Sequence, residues 1–505
     1  VPQKTAEGAK MAAFQRVGQK LQVAIETPNA ELTKGAIKEL EQRGFKATIY
    51  MVSEESLRRA WKRYGEVSEY TGVSKGIIDV SPEKLEEFIG QISTIQKLKN
   101  VFSSTSVSKK NSRVSEILEI VLAGAISADA SDIHIEPQDS KVRLRLRIDG
   151  VLHDILFFDY KIYNLLLSRI KLTSGLKLNI HNQAQDGRFS VHIKKIEIEV
   201  RVSVIPEAFG ESIVLRVLNP KSISISLESL GMEKALLEAL NKELKKPNGM
   251  ILTTGPTGSG KTTTLYAFLK KIYTPEAKIV TLEDPIEYHL DGIVQTQIDE
   301  PKGYTFSNGL RSVLRQDPDI IMVGEIRDIE TARTAMNAAL TGHVVFSTLH
   351  TNNAAGTIPR LIDLGANPNI IAPAINVAIA QRLVRKLCSA CKKKHEPSGE
   401  EKNIIYGIVG SFPAGHEKPQ VQNFSVWKAA GCDACNNLGY KGRVGVFEAI
   451  LIDEKMEALI LGMPSEVEIL KNAESQGILN MKQDGVLKVL SGLTSFEELR
   501  RVVEL

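Results

Sequence analysis

Eight residues constrain this chain more than any others. Gly255-Pro-Thr-Gly-Ser-Gly260-Lys261-Thr262 fits the spacing G-x-x-x-x-G-K-[ST] without departure. Met250 to Thr254 before it are apolar or β-branched and read as a buried strand, and the residues from Lys261 onward read as a helix. A glycine-rich turn at such a junction lets successive backbone N–H groups converge, and the helix N-terminus adds positive potential, so the turn can cradle phosphate. The candidate nucleotide contacts are Gly255, Pro256, Thr257, Gly258, Ser259, Gly260, Lys261, Thr262 and Thr263, with ATP as the expected ligand. Lys261 is placed to reach the β- and γ-phosphates, and Thr262 to hold Mg²⁺. A glycine-rich turn without nucleotide is the alternative; the strand and helix on either side argue against it.

The rest of the C-terminal half supplies the sheet such a turn needs. Lys278 to Leu282, Ile320 to Val323 and Val344 to Thr348 are apolar or β-branched runs separated by helical stretches. That rhythm predicts an α/β domain over residues 221–505, with a parallel sheet covered on both faces. Ligands of such sheets sit at the carboxyl ends of the strands. Leu282-Glu283-Asp284 and Val323-Gly-Glu325 bring two acids there, so Glu283 and Glu325 are the candidates for orienting water and holding metal. His343 and His350 bracket the fourth strand and are expected at the same edge, with His343 a candidate for sensing the γ-phosphate.

Four cysteines in 505 residues are too few for a disulfide framework. Their spacing is informative: Cys388-Ser-Ala-Cys391 and Cys432-Asp-Ala-Cys435 are two CxxC pairs with 40 residues between them. In a reducing compartment this reads as a closed, structural Cys₄ zinc site within a module at about 385–445. Lys392, Lys393 and Lys394 are expected to favour the thiolates. Buried free thiols or a redox pair are the alternatives.

The first 220 residues divide in three. Residues 1–100 read as a small α/β accessory or docking unit, with strands at Leu21–Ile25 and Lys46–Met51 and helices at Glu31–Gln42 and Ser53–Arg63. Residues 101–113, with the run SSTSVSKKNSR, read as a flexible linker. Residues 114–220 open with an amphipathic helix and turn to strands. Val142, Leu144, Leu146 and Ile148 alternate there with Arg143, Arg145 and Arg147, and Glu197, Glu199 and Arg201 point outward from a second run. This predicts an antiparallel sheet with an arginine-rich wet face, either simply solvated or meeting phosphate.

Composition closes off several classes. A net charge of +4 and 6% aromatic residues give no general attraction to nucleic acid and no stacking platform. No run approaches the roughly 18–20 apolar residues of a membrane span. The opening VPQKTAEGAK lacks both an initiator Met and the apolar core of a secretory leader, which points to a trimmed, cytoplasmic chain.

In this order the motifs resemble those of the type II secretion and type IV pilus assembly ATPases. Glu283-Asp-Pro-Ile-Glu-Tyr288 resembles the family's aspartate box, Leu314 to Asp328 its Walker B signature, Thr341 to Ala354 its histidine box and Gln381 to Cys388 the lead into its cysteine module. Ala130 to Pro137, Arg145 to Gly150, Gln185 to Arg188 and Gly210 to Arg216 extend the likeness to the second domain. The resemblance implies a RecA-like P-loop ATPase core preceded by a PAS-like α+β domain. It implies a homohexamer that hydrolyses ATP to power pilin or pseudopilin assembly. Such a motor works at the cytoplasmic membrane through an inner-membrane platform protein, peripherally bound and without nucleic acid. Within it Glu325 is the catalytic carboxylate, Glu283 a second acid near the attacking water, and Arg201 and Arg216 phosphate contacts from the second domain. Thr305-Phe306 and Arg311 to Arg315 carry motion toward the next subunit. The cysteine module favours extension or secretion over retraction. A nucleic-acid-translocating P-loop hexamer is the alternative.

Overall fold

The computed structural model describes residues 3–17, 20–42, 45–62, 87, 94–108, 114–193, 196–219, 225–414, 416–422 and 424–505. The chain forms two compact units, Val1–Asp79 and Val80–Leu505. In the first, β1 (Met11–Val17), β2 (Lys20–Ile25) and β3 (Lys46–Met51) form one sheet, antiparallel then parallel. Met11, Val23 and Ile25 pack with Ala36 of the helix Glu31–Gln42. Leu57 of the helix Glu54–Lys62 packs with Ala12 and Ala24. β1 is the strand that the sequence reading lacks.

Residues 80–100 fall with the second unit rather than the first. Residues expected as flexible linker are in part helical: a helix spans Ile95–Ser108, while 109–113 lie outside the described residues. Its apolar residues explain this. Leu98 and Phe102 are buried, Leu98 fits against Gly124 of the helix Val114–Ser127, and Phe102 meets Phe158 with ring centroids 5.7 Å apart. Burial of that apolar stripe decides the conformation over the polar Ser/Lys composition.

The second domain is an antiparallel sheet of six strands: β4 (Ala130–Pro137), β5 (Val142–Ile148), β6 (Val151–Phe158), β7 (Gln185–Ile193), β8 (Ile196–Glu207) and β9 (Gly210–Leu218). Their order is β6-β5-β4-β9-β8-β7. Along β5 the even-numbered apolar residues are buried and the arginines half-buried. Those arginines are paired rather than simply wet: Arg143 and Arg145 reach Glu136 at 3.0 and 2.5 Å, and Arg147 reaches Asp132 at 3.1 Å.

The C-terminal sheet has seven strands: β10 (Gly249–Thr254), β11 (Ile279–Glu283), β12 (Val294–Gln297), β13 (Ile320–Val323), β14 (Val344–Leu349), β15 (Ile375–Leu387) and, after the short pair β16 (Lys393–His395) and β17 (Val426–Lys428), β18 (Tyr440–Leu451). The order is β12-β11-β13-β14-β10-β15-β18, all parallel except β18, which runs against β15. Met250 and Leu252 of β10 enter one core and Ile251 the other, so both faces are covered. That double burial is what makes each of these strands an unbroken apolar run.

Candidate active site

The glycine-rich turn sits where the sequence places it, between β10 and the helix Lys261–Ile272. Gly258 and Gly260 have φ of 78° and 92°, in the left-handed region that side chains avoid. Gly260 has a second constraint, since a Cβ there would lie 2.8 Å from Gln381 Nε2. Gln381 Oε1 in turn accepts from Thr264 Oγ1 at 2.7 Å, so β15 clasps the helix that begins at the turn. Thr254 Oγ1 and Thr351 Oγ1 are 2.7 Å apart and tie the end of β10 to the loop after β14. Within the turn, Lys261 Nζ donates to the carbonyls of Gly255 and Pro256 at 2.7 and 3.1 Å. Burial lowers the Lys261 pKa, with Glu325 opposing that effect and Arg382 adding to it.

The two acids differ in what surrounds them. Glu325, at the end of β13, is bonded by Arg327, with His350 Nε2 at 3.3 Å; Arg327 also lies 3.6 Å from Asp284. Glu325 is therefore a partly open carboxylate held between the Arg327 guanidinium and the His350 imidazole, close enough to Lys261 to act on its charge. Glu283 is only 3% exposed and engaged on both oxygens. It accepts from Tyr266, from Thr281 Oγ1 at 2.6 Å and from Gln295 Nε2 at 2.9 Å. Burial, with Glu283 beside it, pushes the Tyr266 hydroxyl pKa far up, so Tyr266 stays a donor. The expected role of Glu283 beside the attacking water does not fit this arrangement, because the carboxylate is buried and its three donors come from the nucleotide helix, β11 and β12. It links the nucleotide helix to the segment that follows β11.

The histidines are separated by the polarity of the strand. β14 pairs with β10 so that Val344 faces Gly249 and Leu349 faces Thr254. His343 therefore lies at the far edge of the sheet, about 20 Å along the strand from the turn, where its Nδ1 meets Ala338 O at 2.9 Å. The sequence expectation that both histidines share the edge of the acids is wrong for His343. Only His350 reaches it.

The second-domain arginines lie in cross-strand register, Arg188 opposite Arg201 on β7/β8 and Arg201 opposite Arg216 on β8/β9. Arg201 crosses to the C-terminal domain, donating to Glu287 Oε2 at 3.1 Å and Ile286 O at 2.5 Å. Arg216 is bonded to Asp132 at 3.0 Å. Both are held by protein acceptors in this conformation. Phe306 is the buried first residue of the helix Phe306–Leu314, which Thr305 caps, while Arg311 and Arg315 are exposed.

The four cysteines come together. Their sulfurs lie within 4.8 Å of one another, with Sγ–Sγ distances of 3.9, 3.8 and 3.8 Å for 388–432, 391–435 and 432–435, and none is in a disulfide. Tetrahedral zinc with Zn–S of ~2.3 Å places its sulfurs ~3.8 Å apart, so the donor set fits. Burial opposes thiolate formation at Cys435, but N–H donors from Cys432 and Gly439 outweigh it and bring its pKa to about 7. At Cys435 backbone amides thus do what the lysines were expected to do, whereas at Cys391 burial and the neighbouring thiols outweigh the Gly431 N–H and push the pKa up to about 11. Lys392 is turned onto Gly492 O at 2.8 Å and the Trp427 ring.

Sequence reasoning passed over Arg327 and Gln381 as individual site residues. A strand parallel to β10 must pass beside the turn, and the register that sets Ala380 opposite Thr254 is the signal that finds Gln381.

Comparison with known proteins agrees with this architecture. The family described as type II/IV secretion system protein matches residues 107–501. The type II secretion system protein E of Pseudomonas aeruginosa is 42% identical over 386 residues, covering 76% of this chain and 74% of that protein. The type IV pilus assembly ATPase PilB of Myxococcus xanthus is 35% identical over 505 residues, covering 99% and 85%. Among solved structures, the pilus retraction motor PilT with bound ADP superposes with a TM-score of 0.50 at 27% identity, covering 76% of this chain and 96% of that one.

Proposed function

This chain belongs to the type II/IV secretion system protein family and is an ATPase of its secretion and pilus-assembly branch; from that premise we propose that it works as a homohexameric motor driving pilin or pseudopilin assembly. The observation that carries the reading is the glycine-rich turn between β10 and the helix Lys261–Ile272, with Glu325 just beyond the end of the neighbouring strand β13. Phosphoryl transfer asks the protein for positioning and charge rather than covalent chemistry. The N–H groups of Gly258 to Thr262 and the Lys261 ammonium bind the phosphates, Lys261 exchanging the carbonyls of Gly255 and Pro256 for phosphate oxygens. Thr262 would hold Mg²⁺, which when bound would supply positive charge to the triphosphate. Glu325, oriented by Arg327 and His350, accepts the proton of the attacking water. Glu283 acts through Tyr266 and Gln295 as a positioning residue. Arg201 and Arg216 change partner from Glu287, Ile286 and Asp132 to phosphate, and so couple the second domain to the nucleotide state. Cys388, Cys391, Cys432 and Cys435 would hold Zn²⁺ and so close the insertion between β15 and β18.

Among the described residues no helix is long and apolar enough to cross a membrane. We propose that attachment to the cytoplasmic face of the inner membrane runs through a platform protein. The test is Glu325→Gln. Phosphate release is expected to fall by roughly 100-fold or more, with binding of a fluorescent ATP analogue unchanged. Release within threefold of the parent protein overturns the assignment of Glu325.

A further inference from the structure

β15 runs parallel to β10, with Thr254 opposite Ala380. The next two residues, Gln381 and Arg382, consequently lie beside the phosphate-binding turn and point to opposite faces of the sheet. Gln381 takes the helix face, bonded to Thr264. Arg382 takes the other, the face that also carries Glu448, the partner of Ala380 on β18. Its Nη2 donates to Asn352 O at 3.0 Å, in the loop after β14. Because β14 and β15 flank β10, that bond arches the guanidinium over the carboxyl end of β10, where the turn begins. Its Nη1 is buried and has no hydrogen-bond partner. Glu448 does not supply one, since its two oxygens accept from the backbone of Ala354 and Met481 at 2.8 and 3.1 Å. Burial lowers the pKa of both Arg382 and Lys261, and the two cations lie close enough to repel each other. Two half-buried like charges at one turn, one with a buried and unused donor, are unfavourable until an anion lies between them.

We propose that Arg382 is a phosphate ligand of this site, its Nη1 donating to a terminal-phosphate oxygen of a nucleoside triphosphate while its Nη2 keeps Asn352. The inference rests on the ATPase reading above. One guanidinium then joins the triphosphate to the loop after β14, and loss of the terminal phosphate removes that joint. Arg382 thereby tells triphosphate from diphosphate, a discrimination Lys261 gives less well because it serves the β-phosphate too.

The experiment measures binding of fluorescent, non-hydrolysable ATP and fluorescent ADP to the full chain with Mg²⁺, for the parent protein, Arg382→Ala and Arg382→Lys, with thermal melting as the folding control. Arg382→Ala is expected to weaken ATP-analogue binding by roughly ten- to a hundredfold and to leave ADP within about threefold. Arg382→Lys, which keeps the charge but not the fork, is expected to recover part of the loss. An unchanged ATP/ADP ratio in folded Arg382→Ala overturns the proposal. If that variant does not fold, an unchanged ratio in Arg382→Lys does so. A parent protein that binds neither nucleotide overturns the ATPase reading itself, a result distinct from intact binding without discrimination.

Discussion

Glu498 fastens the C-terminal helix Phe496–Val502 to β15 at Arg385, three residues before Cys388, and its contribution follows from its partners. Its side chain is 0% exposed and pairs with Arg385, 16% exposed, at 2.6 Å. It also accepts from the Arg385 backbone at 3.0 Å and from Arg501 at 2.9 and 2.7 Å. Burial alone raises the pKa of such a carboxyl; the bonds from Arg501 and Arg385 reverse that and hold it at about 2, against an ordinary 4.5. A gap of about 2.5 pH units at ~1.36 kcal/mol each gives a contribution of about 3 kcal/mol. Because the folded pKa is the lower one, this stability is fully present above pH ~4.5 and is lost as the pH falls toward 2. Glu498→Gln removes it and leaves Arg385 buried without its counter-charge. Trp427 sits in the cysteine module and Trp61 in the first unit. In a Trp61→Phe background, Trp427 fluorescence during urea unfolding therefore reports this lobe alone. We expect Glu498→Gln to cost about 3 kcal/mol at pH 7 and much less at pH 3. A cost below ~0.5 kcal/mol at pH 7, or one that does not shrink in acid, refutes the reasoning.

Three further outcomes follow from the geometry. His350→Ala is expected to lower kcat by about tenfold or more, since His350 orients Glu325, whereas His343→Ala at the far edge leaves kcat within about threefold; equal effects remove the distinction. Cys388→Ser is expected to abolish the binding of about one zinc ion per chain, read by elemental analysis, and to loosen amide protection in the β16/β17 pair; an unmutated protein without zinc refutes the site. Gly260→Ala meets both a φ of 92° and a contact 2.8 Å from Gln381. It is expected to weaken nucleotide binding by about tenfold, from a strain of ~1–2 kcal/mol in the left-handed region; unchanged affinity shows that the turn tolerates the methyl group.

Local pattern identified most elements because each is dominated by one kind of burial. The strands β10, β11, β13 and β14 are covered on both faces and appear in the sequence as solid apolar runs; β5 is covered on one face and appears as alternation. The helix Ile95–Ser108 was obscured because Leu98 and Phe102 are apolar in a segment whose later residues are Ser and Lys. Spacing alone identified the cysteine module, since two CxxC pairs demand closure whatever lies between them. It could not show that backbone N–H groups of Cys432 and Gly439, and not Lys392, favour the thiolate of Cys435.

By itself the sequence determined the chemistry on offer: a phosphate-binding turn, acids at strand ends and a tetrathiolate site, each encoded by residues close together in the chain. Tertiary structure decided which groups serve it. Strand polarity sent His343 and His350 to opposite edges, hydrogen bonding enclosed Glu283 and left Glu325 open, and the pairing of β15 with β10 carried Arg382 over the turn. The physical reason is that residue type and local spacing set what a group is able to do, while orientation and satisfied partners depend on register between strands distant in sequence.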